Sequence, residues 1–193
     1  MKRLLVFGGL LLSVALSTGT AFAESIQNRF GVTGRLGFLI PADSDYNDRK
    51  LNADAGFVGG GGFIYGFDRN IALELDITHT WFGTELPSGP RQGDFSITNL
   101  AFGAQYRFMI ADPKIVPYAG GGLDILFNEY ERADVDTVVG IHASGGVDYF
   151  LTRDIALNAE GKIVIAPEAD IDGAGGNFDP SSFSGTFGVR YFF

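Results

Sequence analysis

The stretch Ser182-Phe-Ser-Gly-Thr-Phe-Gly-Val-Arg-Tyr-Phe-Phe193, at the C-terminus, decides the fold. Phe183, Gly185, Phe187, Val189, Tyr191 and Phe193 fall on one face. Ser184, Thr186, Gly188 and Arg190 fall on the other, and Phe192 is the one large apolar residue out of place. Successive side chains of a strand point to opposite faces, so this period of two predicts a strand with one apolar and one polar side.

Working outward, the end of this stretch is the last copy of a repeat of form G-x-x-Y-x-[FL]. The others are Gly62-Phe-Ile-Tyr65-Gly-Phe67, Gly103-Ala-Gln-Tyr106-Arg-Phe108 and Gly146-Val-Asp-Tyr149-Phe-Leu151. The tyrosines are spaced by 41, 43 and 42 residues. A short polar turn follows each of the first three copies, at 68–70, 111–114 and 152–154. Such a period can mark propeller blades or solenoid units, but each unit here holds only two alternating runs. Eight runs result, near 29–41, 56–67, 71–83, 95–110, 115–128, 138–151, 155–167 and 182–193. Tight turns alternate with long polar loops near 42–55, 84–94, 129–137 and 168–181.

Each run is long enough for the roughly 9–11 residues that a tilted strand needs to cross a bilayer. In lipid every backbone donor and acceptor must be paired internally, so a spanning sheet must close. The expected fold is therefore all-β: an eight-stranded, antiparallel, up-and-down transmembrane β-barrel, with tight turns on the periplasmic side and long loops outside. A soluble barrel would have the same periodicity with its faces exchanged. The charges decide against it. Arg35, Glu74, Asp76, Arg107, Asp124, Asp148, Glu160, Lys162 and Arg190 all share the polar face. The opposite face carries Tyr, Phe and Ile from strand after strand, too much volume for so narrow a lumen. Aromatic residues cluster at both ends of the runs: Tyr65, Phe67, Tyr106, Phe108, Tyr149, Tyr191 and Phe193 near the turns, Phe38, Phe57, Trp81, Phe127 and Phe183 near the loops. Two such girdles are what a membrane barrel places at its interfaces.

The other end of the chain reads as an export signal. Lys2 and Arg3 precede the apolar run 4–16, and Ala21-Phe-Ala23 supplies a small-x-small cleavage site. Residues 1–23 are expected to be removed, leaving a barrel domain of residues 24–193. The apolar run falls short of the roughly 20 residues of a spanning helix. There is no cysteine among the 193 residues, which excludes disulfides and thiolate metal sites. The whole chain carries a formal charge of −9, and loss of Lys2 and Arg3 takes it to −11, which argues against nucleic acid as a partner. Against that acidity stand 18 Phe, 7 Tyr and 28 Gly, so charge and apolarity must be segregated.

The motifs resemble a family. Pro117-Tyr-Ala-Gly-Gly-Gly122 opening a strand and Gly146-Val-Asp-Tyr-Phe-Leu151 closing the next look like the small OmpW/OmpA-like outer-membrane β-barrel proteins. Phe193, with Tyr191 two residues before it, resembles the signal read by the outer-membrane assembly machinery. The resemblance implies a bacterial outer-membrane location and, for an OmpW type, a narrow conduit or binding barrel for small molecules, hydrophobic ones included. The superfamily also hosts sealed structural or adhesive barrels and lipid-modifying enzymes. His142 and Ser144 share a face as in the His-x-Ser strand motif of lipid A deacylases. Here, however, Gly145 and Gly146 follow Ser144 where that motif has Asn, and the pair points into the lumen. No enzyme activity is expected.

Eight strands enclose a lumen that side chains essentially fill. Its four basic residues and five acidic ones should form a packed ion-pair core or, with two arrangements, a gate. Near balance is needed either way, since an isolated charge in a dry interior is very costly. Glu74 and Arg107, each three residues from the turn end of neighbouring strands, are expected to pair. His142 should partner a lumenal carboxylate, and Gly103, Gly146 and Gly188 should make room for long side chains. No glycine run forms a phosphate loop, and no cofactor is implied. Asp43-Ser-Asp45-Tyr-Asn47-Asp48 imitates a calcium loop but has Asp48 where the glycine is required. The long loops carry 14 acids against Arg49, Lys50, Arg91 and Arg132. Contact with outer-membrane lipids and lipopolysaccharide would thus need bridging divalent cations.

The topology is directly testable. A cysteine placed at Asn52 or Asp134 should react with an impermeant maleimide on intact cells, and one at Asn70 or Asp112 should not; the opposite labelling would invert the barrel.

Overall fold

A computed structural model describes residues 25–42, 44–46, 49–51, 55–83, 94–130, 133–134, 136–170 and 177–193. The expected signal segment, the cleavage site before Glu24 and half of the calcium-like loop, Asp48 included, lie outside these residues. Eight long strands carry the fold: β1 (Phe30–Pro41), β2 (Gly56–Gly66), β3 (Ile71–Gly83), β4 (Asp94–Arg107), β5 (Ile115–Tyr130), β6 (Val138–Phe150), β7 (Ile155–Ile165) and β8 (Ser182–Phe192). Six of the sequence-derived starts, at 56, 71, 115, 138, 155 and 182, coincide with these. The fourth strand is shorter than its periodicity suggested, because Phe108 to Ile110 leave the ladder to form the turn.

Each strand pairs antiparallel with its neighbours in the chain. The first strand also pairs with the last, from Gly31 opposite Phe192 to Pro41 opposite Ser182. The sheet is thereby a closed ring without an edge, as burial in lipid demands. Asp68 accepts from the backbone N–H groups of Asn70 and Ile71 at 2.7 Å each, and Thr152 Oγ1 from that of Ile155 at 3.0 Å. These side chains mimic backbone turns, which is why Asp and Thr begin the tight connections.

Register sorts the side chains as the alternation requires. Leu36, Phe63, Ile77, Phe102, Leu123, Ile141, Ile163 and Phe187, one from each strand, point outward and are exposed, Phe187 to 71%. Ring contacts tie the girdles: Phe30 to Tyr65 at 4.6 Å and Tyr106 to Phe108 at 5.1 Å near the turns, Phe57 to Trp81 at 6.4 Å near the loops.

The misfit Phe192 has a reason. It turns inward with Phe150, Ile64, Ala72, Val116, Ala156 and Ile26 to fill the turn end of the lumen. Ile26 reaches this cluster because the segment before β1 folds under the barrel, where Asn28 N–H donates to Gly66 O at 2.7 Å. Asn28 adopts φ 58°, a left-handed conformation that Asn tolerates. Arg29 then straps the seam, donating to Asp154 Oδ1 at 2.5 Å and to the carbonyls of Arg153 and Phe192 at 2.9 and 3.0 Å.

Phe192→Ala should therefore leave a cavity costing about 3–5 kcal/mol, read as a lower urea midpoint for the refolded barrel in detergent. Phe187→Ala, on the lipid-facing side, should cost far less. Equal losses from the two would refute the turn-end plug.

Candidate functional site

The lumen is layered. Along most strands the inward residues nearest the turn end are apolar, the middle ones polar, and several nearest the loop end apolar again. In β7, for example, Ala156 is followed by Asn158, Glu160 and Lys162, then Val164.

The middle layer is one connected network. Asp148 is its hub and is wholly buried. Arg190 Nη1 donates to both Asp148 oxygens, at 2.9 and 3.1 Å, and Arg107 Nη1 donates to Oδ2 at 2.8 Å. Arg190 Nη2 reaches Glu74 at 2.5 Å. From Asp148 the chain continues through Asn158 Nδ2, which donates to Asp148 at 2.8 Å and to Tyr118 Oη at 2.9 Å. The Tyr118 hydroxyl donates to Glu160 at 2.7 Å. Arg35 closes the network, donating to Glu160 at 2.7 Å and Asp76 at 3.0 Å. Arg190 also lies over the Tyr118 ring, 5.0 Å from its centroid. Seven of the eight strands contribute; β2 supplies glycines instead. A Cβ at Gly62 would collide with the Asp76 carboxylate.

Above this layer Asp124 gathers a second cluster. It accepts from Lys162 Nζ at 2.8 Å and Asn99 Nδ2 at 2.7 Å, and His142 Nδ1 contacts its other oxygen. Toward the loops Ile97, Leu126 and Val164 pack together with Leu39, Val138 and Ala166 into an apolar collar. A cavity of about 30 Å³ lies between collar and ion layer, lined on its apolar side by Leu39, Val58, Ile97, Leu126 and Val164.

All nine charged residues singled out in the sequence thus lie in the lumen, each in an ion pair. Tyr191 and Phe193 lie outside, their rings 6.3 Å apart in the turn-end girdle. One expectation needs correction: Glu74 does not pair with Arg107. Arg190 from β8 takes Glu74, because it crosses the lumen at that depth and its fork reaches two carboxylates at once. Arg107 is left to Asp148. The expected lumenal carboxylate for His142 is Asp124. A Cβ at Gly103 would press on His142 and at Gly146 on Tyr118, so these two glycines clear space for side chains; at Gly188 it would first meet the Gly34 carbonyl, so there the glycine admits the neighbouring backbone. Ser144 stands opposite Gly120 and Lys162, facing the lumen rather than lipid. Tyr118 and Asn158 were not singled out as site residues from sequence, nor were the plug residues other than Phe192, although Tyr118 has the parity of Asp124 and was readable from it. Among the described residues no three carboxylates or imidazoles are placed to hold a metal ion.

Comparison with known proteins agrees with this architecture. The chain belongs to the outer membrane protein beta-barrel domain family, whose model matches residues 9–192. It is thus an outer-membrane barrel of the small eight-stranded kind. It is similar to the outer membrane protein OprG of Pseudomonas aeruginosa, at 17% identity over 89% of this chain and 99% of that one, with a TM-score of 0.69. Neisserial surface protein A is also similar, at 17% identity over 85% and 97% of the two chains and a TM-score of 0.64. AlkL, determined in lipid bilayers, has 11% identity over 92% and 94%, with a TM-score of 0.55. At such identities the likeness concerns the fold. No curated protein sequence matches.

Removing one partner from a buried ionic group costs about 3–5 kcal/mol. Asp148→Asn should incur that loss, since two guanidinium groups lose their shared counter-charge. Glu74→Gln should cost less, because Arg190 keeps Asp148. Urea unfolding in detergent would measure both, and the reverse order would displace Asp148 as the hub.

Proposed function

We propose that the protein binds small apolar molecules from the outside, in the loop-end part of its lumen, and does not pass them along the barrel axis. The observation that carries this reading is the apolar collar with a cavity beneath it, set above a lumen packed shut. The water-sized cavity beneath the collar is itself too small for a continuous aqueous channel. Below it, Arg190, Asp148 and Phe192 are wholly buried, so an axial route would have to break ion pairs and displace the plug. An apolar molecule entering from the loops meets Leu39, Ile97, Leu126 and Val164 instead, and can be accommodated by side-chain shifts within the collar. Any onward passage would then have to cross the barrel wall into lipid.

A sealed structural or adhesive barrel is the second reading, favoured by the packing of both the plug and the ion layer. Loop-borne recognition would replace the cavity as the seat of function. A lipid-cleaving role has no support from His142 and Ser144, which face away from lipid.

Reconstituted in liposomes, the barrel should show no ion conductance yet bind the apolar fluorophore N-phenyl-1-naphthylamine saturably, and Leu126→Asp should abolish that binding while leaving a folded, heat-modifiable barrel. Steady conductance would overturn the sealed axis; a silent barrel that binds no fluorophore would favour the structural reading.

A further inference from the structure

The cavity beneath the collar has a floor, and the floor is specific. Its side chains include Arg35, Asn99 and Thr186. These residues are only 5%, 8% and 7% exposed. Each nevertheless keeps a polar atom without a protein partner: Arg35 Nε, Asn99 Oδ1 and Thr186 Oγ1. A buried polar atom left unmet is costly, so these positions call for a partner that enters the cavity. Other lumenal atoms are similarly unmet, such as Arg190 Nε and Asn158 Oδ1, but those side chains do not line the cavity.

The three atoms define what that partner must be. Arg35 Nε offers a donor, Asn99 Oδ1 an acceptor, and the Thr186 hydroxyl can serve as either. The formal charges around them are already spent. Both Arg35 Nη groups are held by Asp76 and Glu160, and Lys162 is held by Asp124. A charged head group would find no free counter-charge and would have to be desolvated for nothing. A purely apolar molecule would leave all three atoms unmet. An uncharged group that donates and accepts at once, as a hydroxyl does, can meet all three. The lining also includes Leu39, Val58, Ile97, Leu126 and Val164, with Thr80 between Val58 and Ile97, and these apolar side chains suit an aliphatic body.

We propose that the site selects neutral aliphatic alcohols, seated hydroxyl-down on Arg35, Asn99 and Thr186 with the hydrocarbon in the collar. This rests on the binding reading given above and adds the class of ligand. A site built to hydrogen-bond a substrate hydroxyl discriminates well against an analogue lacking it, because the buried partners are then stranded.

The test is competition against bound N-phenyl-1-naphthylamine in nanodiscs, with 1-octanol, octane and octanoate as competitors. Each competitor is compared between variants at equal free concentration, so that partition into lipid cancels. Thr186→Val keeps the shape of the side chain and removes the hydroxyl; it should weaken 1-octanol about three- to tenfold, the worth of one hydrogen bond. Thr186→Ser should restore it, and octane should respond to neither change. Asn99→Leu, tested on barrels shown to be folded by heat-modifiability, should act on 1-octanol in the same direction. Unchanged 1-octanol affinity in Thr186→Val, or octanoate binding more tightly than 1-octanol, would overturn the proposal while leaving the apolar site intact. A wild-type barrel that fails to bind the fluorophore would remove the site itself.

Discussion

Everything in this molecule depends on the closing of one ladder of hydrogen bonds, that between the first strand and the last. Until β1 and β8 pair, two edges of unmet N–H and C=O groups face hydrocarbon, where neither water nor side chain can satisfy them. Closure fixes the number of strands, and that number fixes a lumen just wide enough to be filled by side chains. The remaining features answer the question of what to put in that lumen. Nine charged side chains fill its middle, and they can be buried because every one has found an opposite.

The fold was legible because lipid enforces a strict period of two. An outward polar residue or an unpaired backbone is costly in the hydrocarbon core, so the sequence has little freedom to blur the pattern there. Most strand starts and the set of inward charges followed from parity, while the end of the fourth strand did not. Nor did the ion pairs. Strand position gives depth, but a guanidinium at the end of a long side chain can cross the lumen, and Arg190 does so to reach Glu74 on β3. Neighbouring strands therefore need not be partners, which is why the Glu74–Arg107 pair was the wrong inference.

Exceptions to parity carried more information than agreement. Phe192 broke the pattern and proved to belong to the plug, with Phe150 and Ile26. Its position beside Phe193 means the chain end serves two media at once, one ring facing lipid and the other sealing the lumen. The collar was equally hidden. Ile97, Leu126 and Val164 share parity with the charged residues, so they interrupt a polar face with apolar side chains near the loop end. Read singly they are noise; brought to one level by the strand register they form a layer.

The placement of Arg190 has a consequence for the order of events in folding. It lies on β8, the strand that closes the ring, and holds Glu74 on β3 and Asp148 on β6. An open sheet of seven strands would lack that cation: Glu74 would keep its shell of water, and Asp148 would have Arg107 alone. Arrival of β8 supplies the missing cation and the missing backbone ladder in the same step. Dehydration of the interior and completion of the wall are thereby one cooperative event.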